Sequence, residues 1–154
     1  MDLGRLRGTD WVVGALGLAL FGSLFLDWYA PRSGDGPALD AWAAFGATDV
    51  VLAAFAVMAV AIVPLTATQR SAAIPVAWTS LTALLAVVAL GFALAAALGV
   101  PGERLAREAG PAVGLALTVA LAAAVWASMR NEVPGPSLYR SGRNEPETLP
   151  TPQP

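Results

Sequence analysis

Asp49 is the residue whose type and position could do chemistry in this chain. It is the one carboxylate within reach of the interior of a long apolar stretch. A charge at the centre of a bilayer costs at least about 2.5 kcal/mol on insertion scales, so such a residue is by default a proton or cation site facing other helices. Thr48 is its nearest hydrogen-bonding neighbour in sequence. Two readings follow from two helix starts. A helix that begins at Asp40 carries Asp49 about 13 Å along its axis, as a buried polar site. A helix that begins later makes Asp49 a satisfied cap; residues 38–45 then lie flat at the interface, and 50–67 still suffice to span.

Other chemistry is sparse. Thr79, Ser80 and Thr82 bring hydroxyls to one end of an apolar run, where such groups bond back to their own helix carbonyls. The chain has no Cys, no His and no Lys, which removes thiol nucleophiles, imidazole bases, Schiff-base lysines and the usual zinc, haem and iron–sulfur ligands. No phosphate-binding loop or metal-ligand pair is present. The expectation is no enzyme, no metal and no cofactor. A net charge of −2 gives no cationic surface for nucleic acid.

The elements that must position these groups belong to a bilayer. Hydrophobic residues are 56% of 154 and charged residues 13%, with mean hydropathy +0.63. A soluble fold with so little charge would show water a large apolar surface. A hydrocarbon core about 30 Å thick needs about 20 apolar residues per helix. Four stretches approach that length, at about 11–29, 42–66, 75–99 and 111–129. Lipid forces each to close its own backbone bonds, so the expected fold is all-α: an antiparallel bundle of four transmembrane helices with short loops. Thr9 and Asp10 stand where the first helix needs an N-cap, and Pro75 and Pro111 suit first helical turns.

All five tryptophans, Trp11, Trp28, Trp42, Trp78 and Trp126, fall near the ends of these stretches, as an interfacial anchor belt requires. Arg5, Arg7, Arg70, Arg130, Arg140 and Arg143 share one side, against Arg32, Arg104 and Arg107 on the other. The positive-inside rule then places both termini in the cytoplasm of a bacterial inner membrane. Asp27, Trp28 and Tyr29 occupy the place where a secretory cleavage site needs small residues, so the first stretch reads as a span.

The first outer loop, 27–40, reads as a solvated acidic turn. The second, GERLAREAG, places Glu103 with Arg107 and Arg104 with Glu108 at helical spacing, and so predicts a turn or two of surface helix. Residues 131–154 are Pro-rich and read as a disordered cytoplasmic tail. Small residues recur every four positions at Gly91, Ala95 and Gly99, and again at Gly110 and Gly114, continued by Thr118 and Ala122. Such stripes let helix backbones approach in lipid, either within one chain or between copies. The expected partners are therefore lipid and a second copy or another membrane protein.

The runs SLFLDWY, AWAAFGATDVVL and WASMRNE resemble those of a group of small four-span membrane proteins of actinobacteria. Leu26, Trp28 and Tyr29 match a loop-entry motif of the type LFLPWY, with Asp27 where proline is usual. Ala41, Trp42, Phe45 and Asp49 match a following AW-x-AF-x-x-x-D segment. Trp126, Ser128, Arg130 and Glu132 match a terminal W-x-S-x-R-x-E. The resemblance covers most of 10–132 and implies a topology without a mechanism. Small multidrug-resistance transporters share the helix number, but they carry a glutamate in their first helix and this chain has no carboxylate inside its first span. The sequence therefore supports a structural or accessory inner-membrane protein first, and an oligomeric proton- or cation-coupled transporter using Asp49 second.

Overall fold

The computed structural model describes residues 6–68, 73–99 and 102–131. These form five helices and one two-stranded ribbon: α1 (Gly8–Ser23), β1 (Tyr29–Pro31), α2 (Ala41–Ala44), α3 (Thr48–Thr68), α4 (Ala73–Leu98), β2 (Leu105–Arg107) and α5 (Gly110–Asn131). The tail expected at 131–154 lies, apart from Asn131, outside the described residues.

Each long helix buries one seam. In α4 the buried positions are Thr79, Thr82, Ala86, Ala89, Ala93 and Ala96; in α5 they include Pro111, Gly114, Thr118, Leu121, Val125 and Ser128. Both series alternate steps of three and four, the spacing that keeps one stripe facing a partner at a shallow crossing angle. In α1 the seam runs through Asp10, Val13, Gly17, Leu20 and Leu24, and in α3 through Asp49, Leu52, Ala56, Ala59 and Ile62. α1 packs on α3 and α5, and α4 packs on the same two from the other side. Large apolar side chains cover the outside instead: Leu18, Leu84, Val87, Leu98 and Trp126 are all more than half exposed.

Among the described residues, three helices are long and apolar enough to cross a membrane: Thr48–Thr68, Val76–Leu98 and Gly110–Arg130. α1 is the exception. It has 16 residues, about 24 Å of rise. It starts earlier than the cap signal implied, because Arg7 holds the N-cap position and Asp10 sits inside the first turn, accepting the Arg7 backbone N–H at 2.9 Å. It ends in a tighter turn, in which the amides of Leu24, Phe25 and Leu26 donate to Phe21, Gly22 and Ser23 at 3.2 Å each. The stretch expected at 42–66 is likewise divided: Phe45 is extended, so α2 is a separate turn and α3 begins at Thr48.

The loop GERLAREAG is not helical before its last residue. Leu105–Arg107 pairs antiparallel with Tyr29–Pro31, with Ala30 opposite Ala106. A helical turn there would have gained only a few tenths of a kcal/mol from each charge pair. The ribbon instead satisfies backbone groups of both loops, and Arg32 adds a backbone bond to Arg104 at 2.9 Å and a guanidinium bond to the Leu105 carbonyl at 3.0 Å. The first loop is accordingly more than a solvated turn. Its tip, residues 32–38, is exposed, while Leu39 exchanges backbone bonds with Tyr29.

Candidate functional site

Asp49 lies in the first turn of α3 and is 5% exposed. The helix that carries Asp49 starts at the later of the two places the sequence allows, at Thr48, so Asp49 is its second residue and not its N-cap, while Asp40 starts the separate turn α2. The carboxylate Oδ1 accepts the Val50 amide at 2.9 Å, and the helix N-terminus favours negative charge at that place. Thr48 beside it is half-buried. Two other carboxylates are used in the same way: Asp10 at the start of α1, and Asp40, which accepts the Ala43 amide at 2.8 Å at the start of α2. Several hydroxyls in the helices bond locally as well, although the buried Thr9 hydroxyl of α1 has no partner among the described residues. Ser23 donates to Leu20, Thr82 to Trp78 and Thr118 to Gly114, each within its own helix at 2.7–2.8 Å. Such bonds satisfy the polar atom without presenting it to a ligand.

The densest polar and aromatic construction is the cap over the end of the molecule that holds Asp49. Trp28 is fully buried, so it is not a lipid-facing anchor. Its indole N–H donates to the Ser23 carbonyl at 2.9 Å, closing the open end of α1. Tyr29 is also fully buried, and its hydroxyl donates to the carbonyls of Ala96 at 2.7 Å and Gly99 at 3.3 Å, at the end of α4. The Arg107 guanidinium donates to the Leu98 carbonyl in the same turn. Carbonyls at a helix end have no partner in their own helix, and the ribbon supplies three donor contacts to them. Phe45 meets both Trp28 and Tyr29 edge-on, at 5.8 and 5.5 Å between ring centres. Burial pushes the Tyr29 phenol above its ordinary pKa, and Arg107 pulls it part of the way back.

Gly110 and Gly114 floor this cap. A Cβ on Gly114 would come within 2.8 Å of the Trp28 ring, and one on Gly110 within 2.7 Å of the Asp27 carbonyl and the same ring. The second small-residue stripe therefore packs inside the chain. The first does not: Gly91 and Ala95 are exposed, and a Cβ on Gly91 would meet nothing within 4 Å. Gly99 lies past the end of α4, with its amide on the Ala95 carbonyl at 2.7 Å. Of the remaining tryptophans, Trp11, Trp42 and Trp126 are exposed, while Trp78 is half-buried and donates to the Met58 carbonyl of α3 at 2.9 Å.

Tyr29, Phe45 and Arg107 carry no sequence signal that points to these roles, and the close-approach glycines Gly14 and Gly17 carry a faint one. A Cβ on Gly17 would lie 2.9 Å from the Ala56 carbonyl, which shows how closely α1 and α3 touch. The three-residue spacing of Gly14 and Gly17 is the one sign of it in the sequence. Among the described residues no group of three or more acidic, His or Cys side chains is placed to hold a metal ion. Compared with known protein families, curated proteins and solved structures, the chain matches none.

Proposed function

We propose that this is a multi-pass protein of a bacterial inner membrane, in which α1, α3, α4 and α5 form a four-helix transmembrane bundle with both termini in the cytoplasm. Its role is structural or accessory, exerted through another membrane protein or a second copy, with no catalysis of its own. The arginine distribution supports the orientation, and the likeness to small four-span actinobacterial proteins supports the topology. α1 reaches across with the help of the tight turn that carries it to Leu26.

The observation that carries the role is how the polar groups are used. Asp10, Asp40 and Asp49 all serve helix starts, and the interior hydroxyls of Ser23, Thr82 and Thr118 return to their own helices. A transport path needs polar lining that is free to exchange partners. The end of the body near Asp49 is instead closed by Trp28, Tyr29 and Phe45. Affinity capture from gently solubilised membranes is expected to recover a stoichiometric membrane partner or a homo-oligomer. Recovery of the lone chain under several mild detergents contradicts the proposal.

The burial of Asp49 motivates a second reading, a small proton- or cation-coupled transporter. Liposome flux comparing the parent with Asp49→Asn separates the two. The accessory reading expects no flux from either protein; flux in the parent that is lost in Asp49→Asn would establish the transporter.

A further inference from the structure

We infer that the protein thins the bilayer along its α1–α5 face, so that the acyl layer there is well short of the average 30 Å. The inference rests on the membrane-spanning reading above and concerns which lipid the surface fits. Exposed aromatic rings mark the two edges of the apolar band, because indole and large aromatic side chains settle where hydrocarbon meets headgroup. On α1 those rings are Trp11 and Phe25, 55% and 59% exposed. The α-helical rise from Trp11 to Ser23 plus the tight turn to Phe25 separates them by about 22 Å. Beyond them on the two sides stand Asp10, which is buried, and Asp27, which is exposed.

α5 is longer, about 30 Å from Gly110 to Arg130, but it places its exposed ring at a similar distance from the ribbon end. From its first residue, Gly110, to the exposed Trp126 is about 24 Å of helix. Before Gly110 the chain carries exposed Arg107 and Glu108, and exposed Arg130 follows Trp126 by one helical turn. α1 and α5 pack against each other, so the short α1 band and the Trp126 ring lie on adjoining helices. α4 differs. It has 26 residues, about 39 Å, with exposed apolar side chains from Ile74 to Leu98. The apolar band is therefore lopsided. Tilting lets α4 fit a thin layer, whereas α1 cannot lengthen to fit a thick one.

The test is reconstitution of the full chain into phosphatidylcholine vesicles with monounsaturated chains of about fourteen to twenty-two carbons, a series that steps hydrocarbon thickness through the average value. The readouts are flotation with the vesicles after an alkaline wash and the midpoint of unfolding followed by tryptophan emission. The expected result is incorporation throughout, with the highest midpoint in the fourteen- or sixteen-carbon lipid and a fall of several degrees toward the longest. A maximum at eighteen carbons or more, or a midpoint indifferent to chain length, overturns the inference and leaves the membrane reading intact. Failure to float with any of the vesicles overturns the membrane reading itself.

Discussion

Two helices of this chain carry small residues every fourth position, and they use them in opposite ways. On α5, Gly110 and Gly114 lie beneath the Trp28 ring, with no room for a side chain at either position. On α4, Gly91 and Ala95 face outward, and space is open around Gly91. Meanwhile α4 packs inward through Thr79, Thr82, Ala86, Ala89, Ala93 and Ala96, an alanine face that already permits close approach. The difference teaches that a small-residue stripe is a permission. What occupies it is decided by a bulky group delivered from elsewhere in the chain, in this case an indole from the loop after α1.

Removing that group should produce the largest effect. Trp28→Ala vacates a fully buried aromatic site and frees the Ser23 carbonyl, and is expected to cost about 3–5 kcal/mol in reversible unfolding from detergent micelles. A loss below about 1 kcal/mol, the size of a surface change, would mean the cap contributes little to the fold.

The stripes themselves should then separate. Gly114→Ala forces a Cβ into the Trp28 ring and is expected to destabilise by about 1–3 kcal/mol. Gly91→Ala meets open space in a helix interior and is expected to stabilise by about 0.5 kcal/mol through lost chain freedom in the unfolded state. Unfolding shifts of opposite sign in detergent, the larger at Gly114, would bear out the comparison. A large loss for Gly91→Ala would show that its face is covered in the assembled protein.

The tyrosine beside Trp28 offers a smaller effect with a pH signature. Tyr29→Phe leaves the Ala96 carbonyl without its donor and is expected to cost about 1–3 kcal/mol. In the parent, burial raises the Tyr29 pKa, so the folded state keeps its proton at a pH where the unfolded chain has lost it. That contribution is fully present below about pH 10, the ordinary phenol value, and is lost as pH rises through the higher folded value. Stability measured against pH should therefore fall more steeply above pH 10 in the parent than in Tyr29→Phe. Matching slopes would contradict the buried hydroxyl.

The smallest loss is expected at Asp49. Asp49→Asn retains an acceptor for the Val50 amide and loses only the charge at the helix start, about 0.5–1 kcal/mol, read by the same detergent unfolding. A much larger loss would show that the charge has a partner beyond its own helix.

The apolar lengths of α3, α4 and α5 were legible because the need to close backbone bonds in lipid leaves a sustained apolar run one conformation. The ends were less so. Asp40 and Asp49 each signal a helix start, and only the extended backbone at Phe45 shows that both starts are used. The ribbon was out of reach for a different reason. Tyr29–Pro31 and Leu105–Arg107 are three residues each, lie far apart in the chain, and have no hydrophobic alternation to betray a strand. Trp28 illustrates the same limit: its position at a helix end suits an interfacial anchor, and only the glycines of α5, more than eighty residues later, reveal that it is a core residue.

The account depends on four crossings with the ribbon on the outer side, and single-cysteine labelling reads that directly because the chain has no Cys of its own. Ser33→Cys and Glu103→Cys, both at exposed loop positions, are to be compared with Ser141→Cys under a membrane-impermeant maleimide. The account predicts labelling of the two loop positions in intact spheroplasts and of position 141 only after permeabilisation. Labelling of one loop position without the other would contradict it, because α3 and α4 would then not return the chain to the side it left. Labelling of position 141 before permeabilisation would contradict it too, because α5 would then fail to cross.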